Sequence, residues 1–171
     1  MHRARRRFIS LASLAALAGA AGVRGATAAA ARAPVEWRDI TLLDGSVLPA
    51  STLRGAPVVV EFWASWCPFC ARQNPHLQAL WDAQRARGLR VVTFSIDKQA
   101  GAARHYMATH RYTFPAAMDV PVTAQWFGAR RGLPMLYVVD AQGHVVLEEA
   151  GEMFGEDVAA LARFAPAKPA S

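Results

Sequence analysis

Val58-Val59-Val60-Glu61-Phe62-Trp63-Ala64-Ser65-Trp66-Cys67-Pro68-Phe69-Cys70 is the stretch that decides how this chain is read. Residues 58–64 form an almost unbroken apolar run, rich in β-branched side chains, the pattern of a strand buried on both faces. The residues after it hold the only two cysteines in 171 residues, three positions apart. At a strand-to-helix junction, that spacing points to redox chemistry. Cys67 falls at the first turn of the following helix, where unpaired N–H groups and the helix dipole favour a negatively charged sulfur. Pro68 suits the first helical position, because its φ is preset and its missing N–H costs nothing there. Residues three apart in a regular helix have Cβ atoms roughly 5–6 Å apart, whereas a disulfide wants about 3.5–4.5 Å. Closure therefore needs Cys67 at the helix edge, and Pro68 supplies that placement.

Outward from this stretch the chain alternates between strands and helices. Trp37 to Leu42 alternates as a strand, and Asp44-Gly45 marks a tight turn into Val47-Leu48. Ser51 to Gly55 reads as a turn of helix. The Cys67 helix continues through Leu77, Leu80, Trp81 and Gln84 and closes at Arg87-Gly88, with Pro75 expected to kink it. Arg90 to Ile96 is a second buried strand, and Ala100 to Arg111 a helix with Tyr106 and Met107 in the core. Thr113 to Asp119 is extended, Val122 to Phe127 a short helix, and Met135 to Val139 a third buried strand opened by Gly132-Leu133-Pro134. Asp140 to Gly143 is a hairpin turn into His144 to Glu149, and Glu156 to Phe164 an amphipathic helix with Val158, Leu161 and Phe164 on one side. This order predicts an α/β fold with a mixed central β-sheet and helices on both faces.

The composition, 53% hydrophobic and 19% charged, excludes a disordered chain, and the length allows one domain with a sizeable core. The net charge of +6 invites a nucleic-acid reading, but the basic excess is local. Arg3, Arg5, Arg6, Arg7 and Arg24 all lie within residues 1–28, which carry no acid; the remainder holds 14 basic and 13 acidic residues. No basic surface is left to argue from, and nucleic acid is excluded as a partner. Residues 1–28 read instead as an export signal: a basic start, an apolar stretch over 8–23, and Ala26-Thr27-Ala28 as a small-x-small cleavage site. Arg5-Arg6-Arg7-Phe8-Ile9 is similar to the twin-arginine pattern. An ordinary Sec signal and an uncleaved anchor are the alternatives, the latter weakened by a stretch shorter than the ~20 apolar residues that span a bilayer. The expected organisation is signal 1–28, linker 29–35, domain 36–164 and flexible tail 165–171, working in the periplasm, where disulfide chemistry is permitted.

With these residues in view, the chain resembles the thioredoxin superfamily, and within it the exported TlpA/ResA-like thiol-disulfide oxidoreductases. The likeness rests on Phe62 to Cys70, on Pro75, on Gly132-Leu133-Pro134 opening a strand, and on Phe114 to Asp119, similar to the insert of that branch. It covers about residues 36–164 and implies a thioredoxin-like fold. It implies further that Pro134 is a cis-proline lying against the disulfide, that Leu133 and Pro134 offer backbone to a substrate strand, and that Trp66, Pro68 and Phe69 flank the substrate. Glu61 takes the place of thioredoxin's buried acid. A carboxylate inside Val58–Trp63 is costly to bury charged, so its pKa should be raised, which suits a group exchanging a proton with Cys70. Met135 and Phe69 depart from the family pattern, and Arg130 and Arg131 stand where cytochrome c maturation reductases carry acids.

The chemistry implied is dithiol–disulfide exchange with proteins: Cys67 attacks a substrate disulfide and Cys70, helped by Glu61, resolves the mixed disulfide. No cofactor beyond the redox-active Cys67–Cys70 pair is expected, and no metal. The partners expected are thiol- or disulfide-containing proteins and a membrane electron donor, with the protein a monomer. Run in reverse, the same parts make a disulfide-forming oxidant or isomerase. Two rivals come from other classes. One is a metal site on Cys67, Cys70 and His76, which lacks the usual second ligand pair, since His105, His110 and His144 are scattered. The other is a thiol peroxidase, which would use an isolated cysteine.

Overall fold

The computed structural model describes residues 32–167. The segments expected as export signal (1–28), linker (29–31) and tail (168–171) lie outside the described residues. Twelve elements follow one another: β1 (Ile40–Thr41), β2 (Val47–Leu48), α1 (Ala50–Leu53), β3 (Val58–Trp63), α2 (Pro68–Gln84), β4 (Arg90–Ser95), α3 (Ala100–His110), β5 (Ala116–Met118), α4 (Pro121–Phe127), β6 (Met135–Val139), β7 (Val145–Ala150) and α5 (Gly155–Ala160). Five strands form the central sheet in the order β5-β4-β3-β6-β7. β3 pairs parallel with β4 and antiparallel with β6, and β4 with β5 parallel, so the sheet is mixed.

β3 is the middle strand, and its side chains alternate between two separate cores. Val58, Val60 and Phe62 face one side, with Trp37, Ile40, Leu53, Trp126 and Phe127 from the N-terminal segment and α4. Val59 faces the other, with Leu77 and Leu80 of α2 and Val158 and Leu161 of the C-terminal end. Every β3 position is buried, and each apolar one contributes about 1.5–3 kcal/mol by leaving water. Glu61 is the exception. It shares the parity of Val59 and Trp63, so it points beneath α2 and needs compensation there.

Several elements differ from the sequence reading. The strand expected over Trp37 to Leu42 shrinks to β1, because Trp37 turns inward to pack edge-on against Trp126, ring centroids 5.4 Å apart. α2 runs unbroken through Pro75. The C-terminal helix is α5 followed by a 3₁₀ turn, Leu161–Phe164, that keeps Leu161 fully buried. The linker predicted over 29–35 is docked at its end: Val35 is buried and its N–H donates to the Gly143 carbonyl at 2.8 Å. The segment predicted as a tail from 165 begins partly buried, with Ala165 packed beside Phe164 against the Val158–Leu161 cluster. Short segments of small or proline residues can dock against a core without a periodic pattern announcing it.

Candidate functional site

The site forms at the end of β3. Cys67 is the N-cap of α2, with extended φ −86° and ψ 112°, and Pro68 occupies the first helical position. The Cys67 Sγ accepts a hydrogen bond from the Cys70 backbone N–H at 3.2 Å, so an otherwise orphaned helix donor points at the sulfur. Both thiols are free. Their settings differ. Cys67, itself only 4% exposed, lines the floor of a groove of about 470 Å³ with Trp66, Pro68, Phe69, Ile96, Arg130, Gly132 and Leu133. Cys70 is fully buried among Trp63, Ala103 and Tyr106. Burial pushes the Cys70 thiol well up, with its hydrogen bond to Cys67 and the Glu61 charge acting in the same direction.

Glu61 is fully buried, and burial raises its carboxyl from 4.5 to about 8, against the opposing pull of a hydrogen bond from Gln73. The Gln73 Nε2 donates to Glu61 Oε1 at 2.8 Å, while its Oε1 accepts the Met153 backbone N–H at 2.6 Å. Gln73 therefore ties the acid to the loop after β7. The next residue, Asn74, places one end of its side-chain amide beside Glu61 and the Cys70 carbonyl and the other beside the Tyr106 hydroxyl. Gln73 and Asn74 were not singled out from the sequence, although they lie three and four residues after Cys70, the spacing that puts them on its helix face.

Asp97 was also missed. It is buried just past β4, accepts hydrogen bonds from the Ser65 N–H (3.0 Å), the Ser65 hydroxyl (2.8 Å) and the Ser95 hydroxyl (2.7 Å), and so holds the loop entering Cys67. Its position at the carboxyl end of a parallel strand is where α/β sheets place sites. Asp97→Ala is expected to lower stability by about 2–3 kcal/mol, since hydrogen bonds to a charged group are lost and two hydroxyls are left without an acceptor; a urea titration reads this directly.

Among the groove residues, Trp66 is 66% exposed and Phe69 50% exposed, so Trp66 forms a rim beside Cys67 and does not cover it. The Arg72 guanidinium lies over the Phe69 ring at 4.7 Å and makes a two-point contact with Glu152. The Leu133–Pro134 peptide bond is cis. Pro134 is buried, its carbonyl accepts the Gly151 N–H at 2.8 Å, and it immediately precedes the Phe62–Met135 pair of the sheet. Leu133 packs partly buried against the cluster holding both cysteines. Arg130 and Arg131 are paired within the chain, to Asp119 and Glu148 at 2.8 Å each, with Arg130 also 5.2 Å from the Phe62 ring centre. His76 lies elsewhere, against Gly155, where an added Cβ would sit 2.8 Å from its ring. Among the described residues no grouping of three or more His, Cys, Asp or Glu side chains is placed to hold a metal ion.

A family model described as the AhpC/TSA family matches residues 32–147. The thiol-disulfide oxidoreductase ResA of Bacillus cereus is 24% identical over 119 residues, covering 70% of this chain and 69% of that protein. A thiol:disulfide interchange protein of the thioredoxin family from Chlorobium tepidum superposes with a TM-score of 0.71 at 24% identity, over 78% of this chain and 96% of that one. A putative thiol:disulfide interchange protein DsbE from the same organism gives 0.64 at 27% identity, over 78% and 91%. The thioredoxin-like fold is thereby shown.

Proposed function

The chain belongs to the AhpC/TSA family, and from that premise we propose that it is an exported thiol–disulfide oxidoreductase whose Cys67–Cys70 pair reduces disulfides of other proteins. One asymmetry carries the reading: Cys67 opens on a groove and is hydrogen-bonded at a helix N-cap, whereas Cys70 is fully buried near a neutral-leaning Glu61. In the first step the Cys67 thiolate attacks a substrate disulfide. A Cys67–substrate bond forms, the substrate S–S bond breaks, and one substrate sulfur leaves as thiolate. In the second, Cys70 gives its proton to Glu61 in its ionised form, which becomes the neutral acid, and attacks the Cys67 sulfur. The Cys67–Cys70 disulfide forms and the second substrate sulfur leaves, so the substrate gains two electrons and this pair loses them. Trp66, Pro68 and Phe69 border the incoming chain, and the Leu133 backbone, held outward by the cis bond to Pro134, pairs with it.

Cleavage after residue 28 and release into the periplasm fit the export signal; among the described residues no helix is long and apolar enough to cross a membrane. A membrane electron donor recharges the pair, and the protein acts as a monomer. The second reading, a disulfide-forming oxidant, is favoured by the Cys70 N–H on the Cys67 sulfur, since a stabilised thiolate makes a pair more oxidising. The reduction potential of the pair against glutathione separates the two. A value near thioredoxin's, about −270 mV, supports the reductase, and one near about −120 mV, as for a dedicated oxidant, supports the other. Rapid consumption of hydrogen peroxide without a disulfide substrate, or uptake of one zinc ion per chain, would instead move the reading to a thiol peroxidase or a metal protein.

A further inference from the structure

Gln73 and Asn74 both touch Glu61, but only one of them is fixed in orientation. The Gln73 Oε1 accepts from the Met153 backbone N–H, an obligate donor, so its Nε2 can only face Glu61. Asn74 meets no obligate donor of that kind; its fixed neighbour is the Cys70 carbonyl oxygen, an acceptor that already belongs to the helix. One end of its amide lies 3.3 and 3.1 Å from the two Glu61 oxygens and 3.2 Å from the Cys70 carbonyl oxygen, and the other lies 3.4 Å from the Tyr106 hydroxyl. When Glu61 is ionised, the three near oxygens are all acceptors, and the end facing them must be Nδ2. When Glu61 carries a proton on Oε2, that O–H needs an acceptor, and Oδ1 in the same place provides one, at the expense of the contact with the Cys70 carbonyl oxygen. The Tyr106 hydroxyl tolerates either arrangement, because it donates to Oδ1 in the first and accepts from Nδ2 in the second.

We propose that Asn74 is a positioning residue whose side-chain amide turns over with the proton on Glu61, so that this carboxyl is hydrogen-bonded in both of its states. The proposal rests on the reading of Glu61 as the group that takes the Cys70 proton. Asn74 is fully buried, so water does not substitute for it. The other titratable groups facing Glu61 are Cys70 and, one turn earlier, Cys67 from α2, Tyr106 from α3, and Tyr112 beyond it; the Glu61 charge acts on Cys70, Tyr106 and Tyr112. Burial raises the Tyr106 hydroxyl, which therefore stays a hydroxyl while Glu61 titrates. In the resolving step the S–H bond of Cys70 breaks, the Oε2–H bond of Glu61 forms, and the amide turns to accept from it. The neutral acid is then a hydrogen-bonded product and not a buried donor without a partner.

NMR of the full-length, ¹⁵N- and ¹³C-labelled protein tests this without any redox partner. Across the titration of the Glu61 carboxyl carbon, the Asn74 amide protons should show contacts to the Tyr106 ring at low pH and lose them at high pH. The Gln73 amide contacts should persist throughout. Glu61→Gln, neutral at every pH, should hold Asn74 in the low-pH orientation. Tyr106→Phe keeps the ring but removes the acceptor for Nδ2, so the amide should face Glu61 with its N–H at all pH values. Asn74→Leu should move the Glu61 midpoint up by about one pH unit, because a bond to the ionised form is lost that outweighs the one lost by the neutral form. An Asn74 amide that keeps one orientation through the Glu61 titration, or that turns over equally in Tyr106→Phe, overturns the proposal. The parent reading fails separately, if Glu61→Gln leaves the pH profile of disulfide exchange unchanged.

Discussion

Cys67→Ser is expected to remove disulfide exchange, by a factor on the order of a thousand or more, whereas Cys70→Ser is expected to trap it halfway. The difference follows from access. Cys67 opens on the groove between Trp66, Phe69 and Leu133 and receives the Cys70 N–H; a serine hydroxyl in its place is not ionised at neutral pH and is a poor nucleophile toward sulfur. Cys70 is fully buried and its thiol is pushed well up, so it cannot meet an external disulfide and attacks only a sulfur already delivered to Cys67. Insulin reduction by dithiothreitol, followed by turbidity, measures the first loss. A non-reducing gel and intact mass measure the second, as a covalent adduct of one substrate chain on Cys70→Ser that dithiothreitol removes. Adduct formation on Cys67→Ser but not on Cys70→Ser would reverse the two roles. Unchanged insulin reduction in Cys67→Ser would remove redox catalysis from the protein altogether.

The parts of this site that could be read from sequence were those whose residue types are strange for their surroundings. Two cysteines in an otherwise cysteine-free chain, a glutamate inside a valine run and a proline opening a buried strand each break a local pattern, and each lies at the site. The central strand was equally legible, because Val58 to Trp63 must be buried on both faces whatever surrounds it. Gln73, Asn74 and Asp97 were not, since amides and acids on helices and strand ends are ordinary surface residues. Only the packing of α2 on β3 turns Gln73 and Asn74 inward to face Glu61, and only the parallel β3–β4 register brings Asp97 to Ser65. Trp66, expected to flank the substrate, stands exposed with Phe69 on the rim of the groove. Short edge elements such as β1 depend on which large side chain claims the core first, and Trp37 did.

Glu61→Gln is expected to make the protein more stable and a slower catalyst, and the two effects have one origin. Burial lifts the carboxyl from 4.5 in the unfolded chain to about 8 in the folded one. Between those pH values the native protein holds a proton that the unfolded chain has released, so stability falls as pH rises through this window and levels off above it. At 1.36 kcal/mol per pH unit the loss above pH 8 amounts to roughly 3–5 kcal/mol. Glutamine keeps the shape, accepts from Gln73 and donates toward Asn74, but carries no charge. The variant should therefore match the wild type near pH 4.5, exceed it by several kcal/mol at pH 9, and lack the downward slope between; urea titrations at pH 5, 7 and 9 measure all three. The cost appears in the resolving step, where Cys70 has lost its proton acceptor. Stopped-flow decay of the mixed disulfide should slow by about 10²–10⁴-fold, the usual contribution of a general base, while the first attack by Cys67 keeps its rate. Equal pH slopes in the two proteins would mean that Glu61 is not the titrating group; an unchanged decay rate would mean that Cys70 gives its proton elsewhere. A residue that destabilises the fold at working pH yet is held by two dedicated amides is what the proposed proton transfer requires, since a comfortably ionised or permanently neutral acid would not exchange a proton with a buried thiol.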